Sequence, residues 1–136
     1  RYVARIASRL LGNEDEVRDV VQDVFLTAMQ KLDDVASGRS VKAWLASVTV
    51  NNVISRLRWR KVRQAFKMDE GRMELLAPPA SGNPEQAAQL RRVYAELDKL
   101  PVKHRIAWTL RYVEEEPLEE VARICGCSLA TAKRWI

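Results

Sequence analysis

The last two predicted helices carry residues whose types suit the reading of DNA. Ala122, Gly126 and Ala132 have the spacing of a helix-turn-helix, in which small residues allow close crossing and glycine allows a left-handed turn. At about 100° per residue, the positions that face away from Ala132 are small, polar or basic, as a groove-facing surface requires. The alternative is a plain helical hairpin with a solvated face, but the turn chemistry and the basic pair favour DNA. The outward positions are Ala130, Thr131, Lys133 and Arg134, and Ser128 is the expected N-cap.

A second group of residues combines amides and aromatic rings with a run of cations. Asn51 and Asn52 precede a stretch from Arg56 to Lys67 that contains no acid. Amides can hydrogen-bond base edges, aromatic rings can stack on unpaired bases, and arginine neutralises phosphate. An ordinary solvated basic helix end is an equally good interpretation of this stretch taken alone. The cations considered are Arg56, Arg58, Arg60, Lys61 and Arg63.

Leu26 lies about 150° from the centre of the apolar stripe of its predicted helix. It shares that outer face with Asp19, Gln22, Gln30 and, at the margin, Met29. Single exposed apolar residues are normal in soluble proteins. An exposed leucine among acidic and amide groups also has the composition of a protein-docking face.

The other reactive residue types do not form a recognisable site. Cys125 and Cys127 have no second Cys or His pair to complete a metal site, and they are interpreted as small buried residues beside the turn. His104 is expected at a helix surface. The acidic residues between 114 and 120 lack the spacing of a calcium loop, and they are interpreted as favouring the N-terminus of the helix at Pro117. No Gly-rich phosphate loop or two-metal carboxylate cluster supports an enzyme such as a nucleic-acid hydrolase.

The composition is that of an ordinary soluble protein with a mild preference for polyanions. The chain has 136 residues, of which 47% are hydrophobic and 30% charged. Its net charge of +5 lies entirely in residues 1–66, which hold 12 basic and 7 acidic residues. A local positive cluster is the usual footprint of phosphate contacts. No stretch approaches the roughly 18 apolar residues that a bilayer span needs, and no apolar signal segment opens the sequence.

Apolar periodicity predicts helices throughout the chain. The second helix, from about Glu14 to Leu32, has a core-facing stripe in which Phe25 is included. The third helix, from Val41 to about Lys67, carries two stripes. The stripe taken as the buried face contains Val41, Trp44, Leu45 and Val48 and turns polar at Asn51, while Ala46, Val50, Val53 and Leu57 form a second stripe opposite.

Residues 67–84 are expected to form a flexible linker. Three of the five prolines and two of the five glycines lie there, which forbids a continuous helix. The fold class is therefore all-α, with two small helical domains at residues 1–66 and 85–136. No cap precedes Arg1, and the last helix stops after about two turns, so both ends are expected to be cut short.

Several blocks of the sequence resemble bacterial RNA polymerase sigma factors. The run from Asp19 to Leu26 resembles their second conserved region, and Trp44-Leu45 followed by Asn51 resembles their promoter-melting helix. The order of the blocks resembles that of the extracytoplasmic-function (ECF) group of the sigma-70 family, which keeps only regions two and four. The blocks that resemble region four are Leu100-Pro101, Leu110-Arg111-Tyr112, Glu119-Glu120-Val121-Ala122, Gly126, Ser128, Thr131 and Lys133.

The resemblance implies a promoter-recognition subunit that is not an enzyme and needs no cofactor or metal. Its implied partners are core RNA polymerase (the β′ clamp helices and the β subunit), promoter DNA and an anti-sigma factor. The implied location is the bacterial cytoplasm, without membrane insertion, although an anti-sigma factor could hold the protein near the membrane. By resemblance, polymerase docks on Asp19, Gln22, Asp23 and Leu26. The −10 element meets Asn51, the loop at 33–40 and the five cations named above, and the −35 element meets the helix from Ser128.

The sequence departs from the family at several positions, and one rival function stays open. Pro117 replaces the usual capping Ser or Thr, Val50 replaces the usual Arg, and Arg134 and Trp135 are atypical of the family. The rival is a stand-alone helix-turn-helix regulator with residues 1–66 as a sensing or dimerising unit. A docking face at Leu26 discriminates the two, because a stand-alone regulator does not need one.

Overall fold

The described part of the chain consists of α-helices joined by turns and short loops, and no strand occurs among its residues. The computed structural model describes residues 1–31, 33, 40–66 and 83–136, without the side chain at position 64. Most of the predicted linker at 67–84, and most of the predicted reading loop at 33–40, lie outside these residues. The all-α prediction is confirmed. Seven helices are described: α1 Tyr2–Leu11, α2 Glu14–Gln30, α3 Val41–Phe66, α4 Pro84–Lys99, α5 Val102–Tyr112, α6 Leu118–Ile124 and α7 Leu129–Trp135.

Local capping explains where several helices begin. The side chain of Asn13 accepts a hydrogen bond from the Glu16 backbone N–H (3.1 Å), directly after Gly12 ends α1 at a φ of 68°. Asn83 caps α4 in the same way before Pro84. Such caps satisfy N–H groups that the first turn leaves without partners.

Among the helices that the structure describes, none has both the length and the apolar composition of a membrane span.

The larger of two buried clusters runs through both halves of the chain, and the smaller one lies at Tyr94 and Leu97 of α4. Helix α1 packs against α2, α3 and α5, and α3 packs against α5 and α6. Ile6 and Leu10 of α1 are fully buried in the same cluster as Ile106 and Leu110 of α5. The two units predicted from the sequence therefore share one core, and α3 lies between them.

Two predictions about helix faces are wrong. The first concerns Phe25, which is 52% exposed. The fully buried residues of α2 are Val20 and Val24, and Phe25 lies about 100° around the helix from Val24, so its side chain points away from the core. On α3 the buried face is the second stripe, from Ala46 to Leu57, whereas Val41 is 52% exposed. The second stripe stays apolar along the whole contact with α1, α5 and α6, whereas the first becomes polar at Asn51.

Candidate protein and nucleic-acid interfaces

Helices α6 and α7 form the predicted helix-turn-helix. Gly126 has a φ of +63°, which L residues adopt only with strain, and the Cys127 N–H donates to the Ala122 carbonyl (2.9 Å). Ser128 accepts from the Thr131 N–H (3.2 Å), as predicted for the N-cap. Ala132 is fully buried, so the packing prediction is confirmed. The opposite face exposes Ala130, Lys133 and Arg134, with Thr131 half-buried, and their role in DNA binding stays a prediction.

The two cysteines flank the turn without being fully buried. Both are half-buried and neither is in a disulfide. Burial raises the pKa of the Cys125 thiol to about 12, which disfavours the thiolate that a metal requires. Within the described ranges no three His, Cys, Asp or Glu side chains form a group able to hold a metal ion. His104, expected at the surface, is half-buried with its ring 6.0 Å from that of Trp135.

The predicted DNA-binding cations of α3 divide into two sets. Arg56 pairs with Asp23 (2.9 Å) and Asp19 (3.4 Å) of α2. Arg60 pairs with Glu16, donates to the Leu11 carbonyl (3.1 Å), and has a pKa lowered by burial. These two arginines therefore hold α3 against α1 and α2. The remaining three, Arg58, Lys61 and Arg63, are exposed and pair with no acid in the part of the chain that is described.

The two amides of α3 also differ. Asn51 is exposed, while Asn52 is half-buried and donates to the Val48 carbonyl (3.0 Å). Asn51 is therefore accessible to a ligand, whereas Asn52 satisfies the helix backbone. Trp59 of α3 is 66% exposed and lines a groove between α2 and α3.

The outer face of α2 exposes more apolar surface than the sequence predicts. Leu26 is 49% exposed, as expected, and Met29 is 72% exposed. Phe25 joins them because it lies outside the core. We call these three residues, together with the exposed Gln22, the α2 patch. A contiguous exposed apolar patch with a polar rim is typical of a protein-interaction site.

The acidic turn before α6 has a role that the sequence did not indicate. Glu116 is buried and accepts hydrogen bonds from the Tyr2 hydroxyl (2.9 Å) and the Lys42 ammonium (2.5 Å). Glu114 pairs with Arg5 (2.6 Å). Burial, with the bond to Glu116, raises the pKa of Tyr2. The sequence interpretation of Glu114 and Glu116 as acids that favour a helix N-terminus is therefore wrong. Glu119 and Glu120 do lie in the first turn of α6, as that interpretation requires.

Comparison with known proteins identifies the class. Residues 1–63 match the family described as Sigma-70 region 2, and residues 90–136 match Sigma-70, region 4. The chain is 33% identical over 129 residues to the ECF RNA polymerase sigma factor EcfG of Rhodopseudomonas palustris, covering 93% of this chain and 68% of that protein. It is 34% identical over 132 residues to the RNA polymerase sigma factor CnrH of Cupriavidus metallidurans, covering 90% and 69%.

A solved structure agrees with this assignment. The sigma factor RpoE of Bartonella quintana, in complex with the anti-sigma factor NepR, superposes with a TM-score of 0.77 at 26% identity, covering 98% of this chain and 82% of that one. The fold and the relatives thus define the class as the sigma-70 family. Within that class the chain belongs to the ECF group of RNA polymerase sigma factors. It therefore directs RNA polymerase to promoters, and the stand-alone regulator is the weaker interpretation.

Proposed function

We propose that the α2 patch, with Asp19 and Asp23, docks this sigma factor on the β′ clamp helices of core RNA polymerase. The observation that carries the proposal is the exposure of Phe25, Leu26 and Met29 on one face of a helix whose other face is buried. Leaving that much apolar surface in water is unfavourable unless a partner covers it. The Arg56 pairs hold both aspartates at the edge of the patch, which suits the polar rim of an interface.

For the −10 element, we propose a division of labour along α3. Asn51 supplies base readout through hydrogen bonds to an unstacked base. The exposed cations Arg58, Lys61 and Arg63 hold phosphates, which positions a strand without reading its sequence. Arg56 and Arg60, predicted from the sequence as DNA contacts, act instead by fixing α3 against α1 and α2.

For the −35 element, we propose that α7 enters the major groove. Its exposed Lys133 and Arg134 can reach phosphate or guanine, and Ala130 leaves room for close approach.

The domains proposed are region 2 at residues 1–66, a linker at 67–84 and region 4 at 85–136.

The remaining parts of the proposal concern partners and location. The solved neighbour RpoE is a sigma factor in complex with the anti-sigma factor NepR, which supports an anti-sigma partner for this chain too. The β subunit is the expected second contact on polymerase. We also propose a cytoplasmic, non-enzymatic role, because the relatives that this chain resembles are RNA polymerase sigma factors.

The proposal is tested by run-off transcription and promoter binding with and without core polymerase. We expect selective transcription from a subset of a promoter library with polymerase present, and weak promoter binding by the chain alone. Tight, selective binding without polymerase, together with no stimulation of transcription, would establish the stand-alone regulator instead.

Asn51→Ala is expected to reduce discrimination among −10 sequences by about 1–3 kcal/mol, the value of a lost base contact. Because Asn51 is exposed, polymerase binding and thermal stability should stay nearly unchanged. The matched control is Asn52→Ala, which removes the hydrogen bond to Val48 and should cost about 0.5–1.5 kcal/mol of stability without changing selectivity. Open-complex assays on −10 variants measure the selectivity of both variants, and thermal unfolding measures their stability. Equal selectivity for wild type and Asn51→Ala would assign readout to residues 33–40.

Lys133→Ala and Arg134→Ala are expected to weaken binding of −35 DNA by the polymerase holoenzyme. A lost phosphate contact should reduce the slope of log affinity against log salt by about one, equally for all sequences, whereas a lost base contact should relax one position. Arg123→Ala on α6, where the arginine is already paired with Glu120, is the matched control. Titration at several salt concentrations measures the slope, and two unchanged slopes with unchanged selectivity would show that both residues are merely solvated.

A further inference from the structure

A groove where α3, α5 and α7 meet combines cations with apolar side chains. Its volume is about 330 Å³. That volume falls at the lower end of the range for pockets that hold small-molecule ligands, about 300–1,000 Å³. We call it the basic groove. Its described lining residues are Ile54, Arg58 and Lys61 of α3, Pro101, Val102, Lys103 and His104 at the start of α5, and Trp135 of α7.

The cations of the basic groove have no acidic partner among the described residues. Arg58, Lys61 and Lys103 are exposed and take part in none of the described ion pairs. The first turn of α5 contains no acidic side chain. Like charges that converge without a counter-ion repel each other, so the groove favours an anion.

Two other grooves of the described surface differ from the basic groove in charge. Each of them includes carboxylates, which are Glu16 and Asp23 in one groove and Glu116, Glu119 and Glu120 in the other. Acids in those linings offset the neighbouring cations. The basic groove has no carboxylate among its described lining residues, and it is therefore the one of these three that suits an anionic ligand.

The rest of the lining is apolar and held in place by the core. Ile54, Val102 and Trp135 are half-buried and pack against the larger buried cluster. The Lys103 ammonium lies 5.6 Å from the centre of the Trp135 ring, and the His104 ring lies 6.0 Å from it. Side chains packed at the density of a protein interior keep one arrangement, so the apolar lining of the groove is preformed.

The two kinds of lining together indicate the chemical class of the ligand. A phosphate backbone is held by cations, and it needs no apolar surface beside them. The half-buried apolar residues of the groove supply a surface that suits the planar base and the sugar of a nucleotide. Arg58, Lys61 and Lys103 together provide more positive charge than a single phosphate requires, so several linked phosphates fit best.

We propose that the basic groove binds a nucleoside triphosphate. The three cations hold the phosphates, and the half-buried apolar residues pack against the base. The proposed −10 and −35 surfaces use neither Lys103 nor this apolar lining. Because Arg58 and Lys61 belong both to the groove and to the proposed −10 surface, a bound nucleotide competes with a −10 strand, and only this consequence rests on the proposed function.

The first test is titration calorimetry of the free chain with ATP and with GTP. The variant is Lys103→Ala, and the matched control is Arg92→Ala, which removes an exposed cation of α4 outside the groove. We expect ATP or GTP to bind wild type and Arg92→Ala equally, and to bind Lys103→Ala about tenfold more weakly, the effect of one lost contact to a charged group. Circular dichroism verifies that both variants are folded, as their exposed positions predict. No binding of either nucleotide up to about 1 mM, or equal affinities for the two variants, would overturn the site.

Other anions separate a nucleotide site from a general phosphate site. We expect inorganic triphosphate to bind more weakly than the nucleotide, because it has no base to contact the apolar lining. Equal affinities for inorganic triphosphate and the nucleotide would refute the assignment of a nucleotide. Binding of a single-stranded oligonucleotide, together with no binding of ATP or GTP, would refute it as well and would assign the groove to the −10 surface.

Tryptophan fluorescence locates the bound nucleotide. We expect a saturating nucleotide to quench the fluorescence of wild type, and Trp135→Phe, which keeps an aromatic ring against the core, to lose most of that quenching. Undiminished quenching in Trp135→Phe would place the nucleotide elsewhere on the chain and overturn the proposal. None of these measurements uses polymerase or a promoter. Failure of wild type to stimulate transcription would therefore refute the proposed function and leave the nucleotide site to be judged by its own results.

Discussion

Leu26→Asp is expected to weaken binding of core RNA polymerase by about 2 kcal/mol or more, roughly a thirtyfold loss of affinity. Leu26 is 49% exposed at the centre of the α2 patch, between Gln22 and Met29 on the helix surface. A carboxylate there would be desolvated in the complex without a partner, in addition to the loss of apolar contact. In the free protein the position faces water, so the helical fold and its melting temperature should change little.

The matched control for this substitution is Val93→Asp. Val93 is an aliphatic residue of α4 that is 45% exposed and lies outside the proposed docking surface. Its substitution by aspartate adds the same charge, and we expect no change in affinity for polymerase. A pull-down titration or competition assay with core polymerase measures both variants. Equal affinities for Leu26→Asp, Val93→Asp and wild type would exclude the α2 patch as the docking site.

Arg105→Ala is expected to lower the free energy of unfolding by about 3 kcal/mol, the lower end of the cost of breaking a buried ion pair, because a quarter of the Asp98 side chain stays exposed. Arg105 is 8% exposed, pairs with Asp98 of α4 and donates to the Leu10 carbonyl of α1. Burial lowers its pKa, and the neighbouring Asp98 counteracts that shift. The substitution leaves the Asp98 carboxylate and the Leu10 carbonyl without their partner and opens a cavity at the junction of the two halves.

The double variant Arg105→Met with Asp98→Leu separates the loss of the pair from the loss of volume. Replacing a buried pair by apolar residues of similar size is often neutral or stabilising, so most of the lost stability should return. Denaturant unfolding monitored by circular dichroism measures both variants. A loss below about 1 kcal/mol for Arg105→Ala would mean that the pair does not support the core.

Local sequence rules were sufficient for the helix-turn-helix. The left-handed turn at Gly126, the cap at Ser128 and the buried Ala132 depend on neighbours within a few residues, and all three are found as predicted. The exposure of Leu26 followed equally from helical periodicity. The family resemblance rested on these same local blocks, which is why the class and the function follow from the amino-acid sequence alone.

Periodicity shows that a helix has faces, but it does not show which face another element covers. On α3 two apolar stripes competed, and the contact with α1, α5 and α6 selected the one from Ala46 to Leu57. Phe25 was assigned to the core for the same reason. Where an apolar stripe is wider than the surface that neighbouring helices cover, the residues at its edge stay in water. Only the packed structure shows how much of the stripe is covered.

The fate of each charged residue depended on partners distant in sequence. Arg56 and Arg60 looked like phosphate ligands because the sequence around them is basic, yet their acids lie on α2, 33 to 44 residues earlier. Glu116 looked like a helix-terminal acid, yet its partners Lys42 and Tyr2 are 74 and 114 residues away. A carboxylate or guanidinium can be solvated, bound to a ligand or paired internally. Tertiary packing decides among these states, because it alone sets which opposite charge lies within reach and how much water remains.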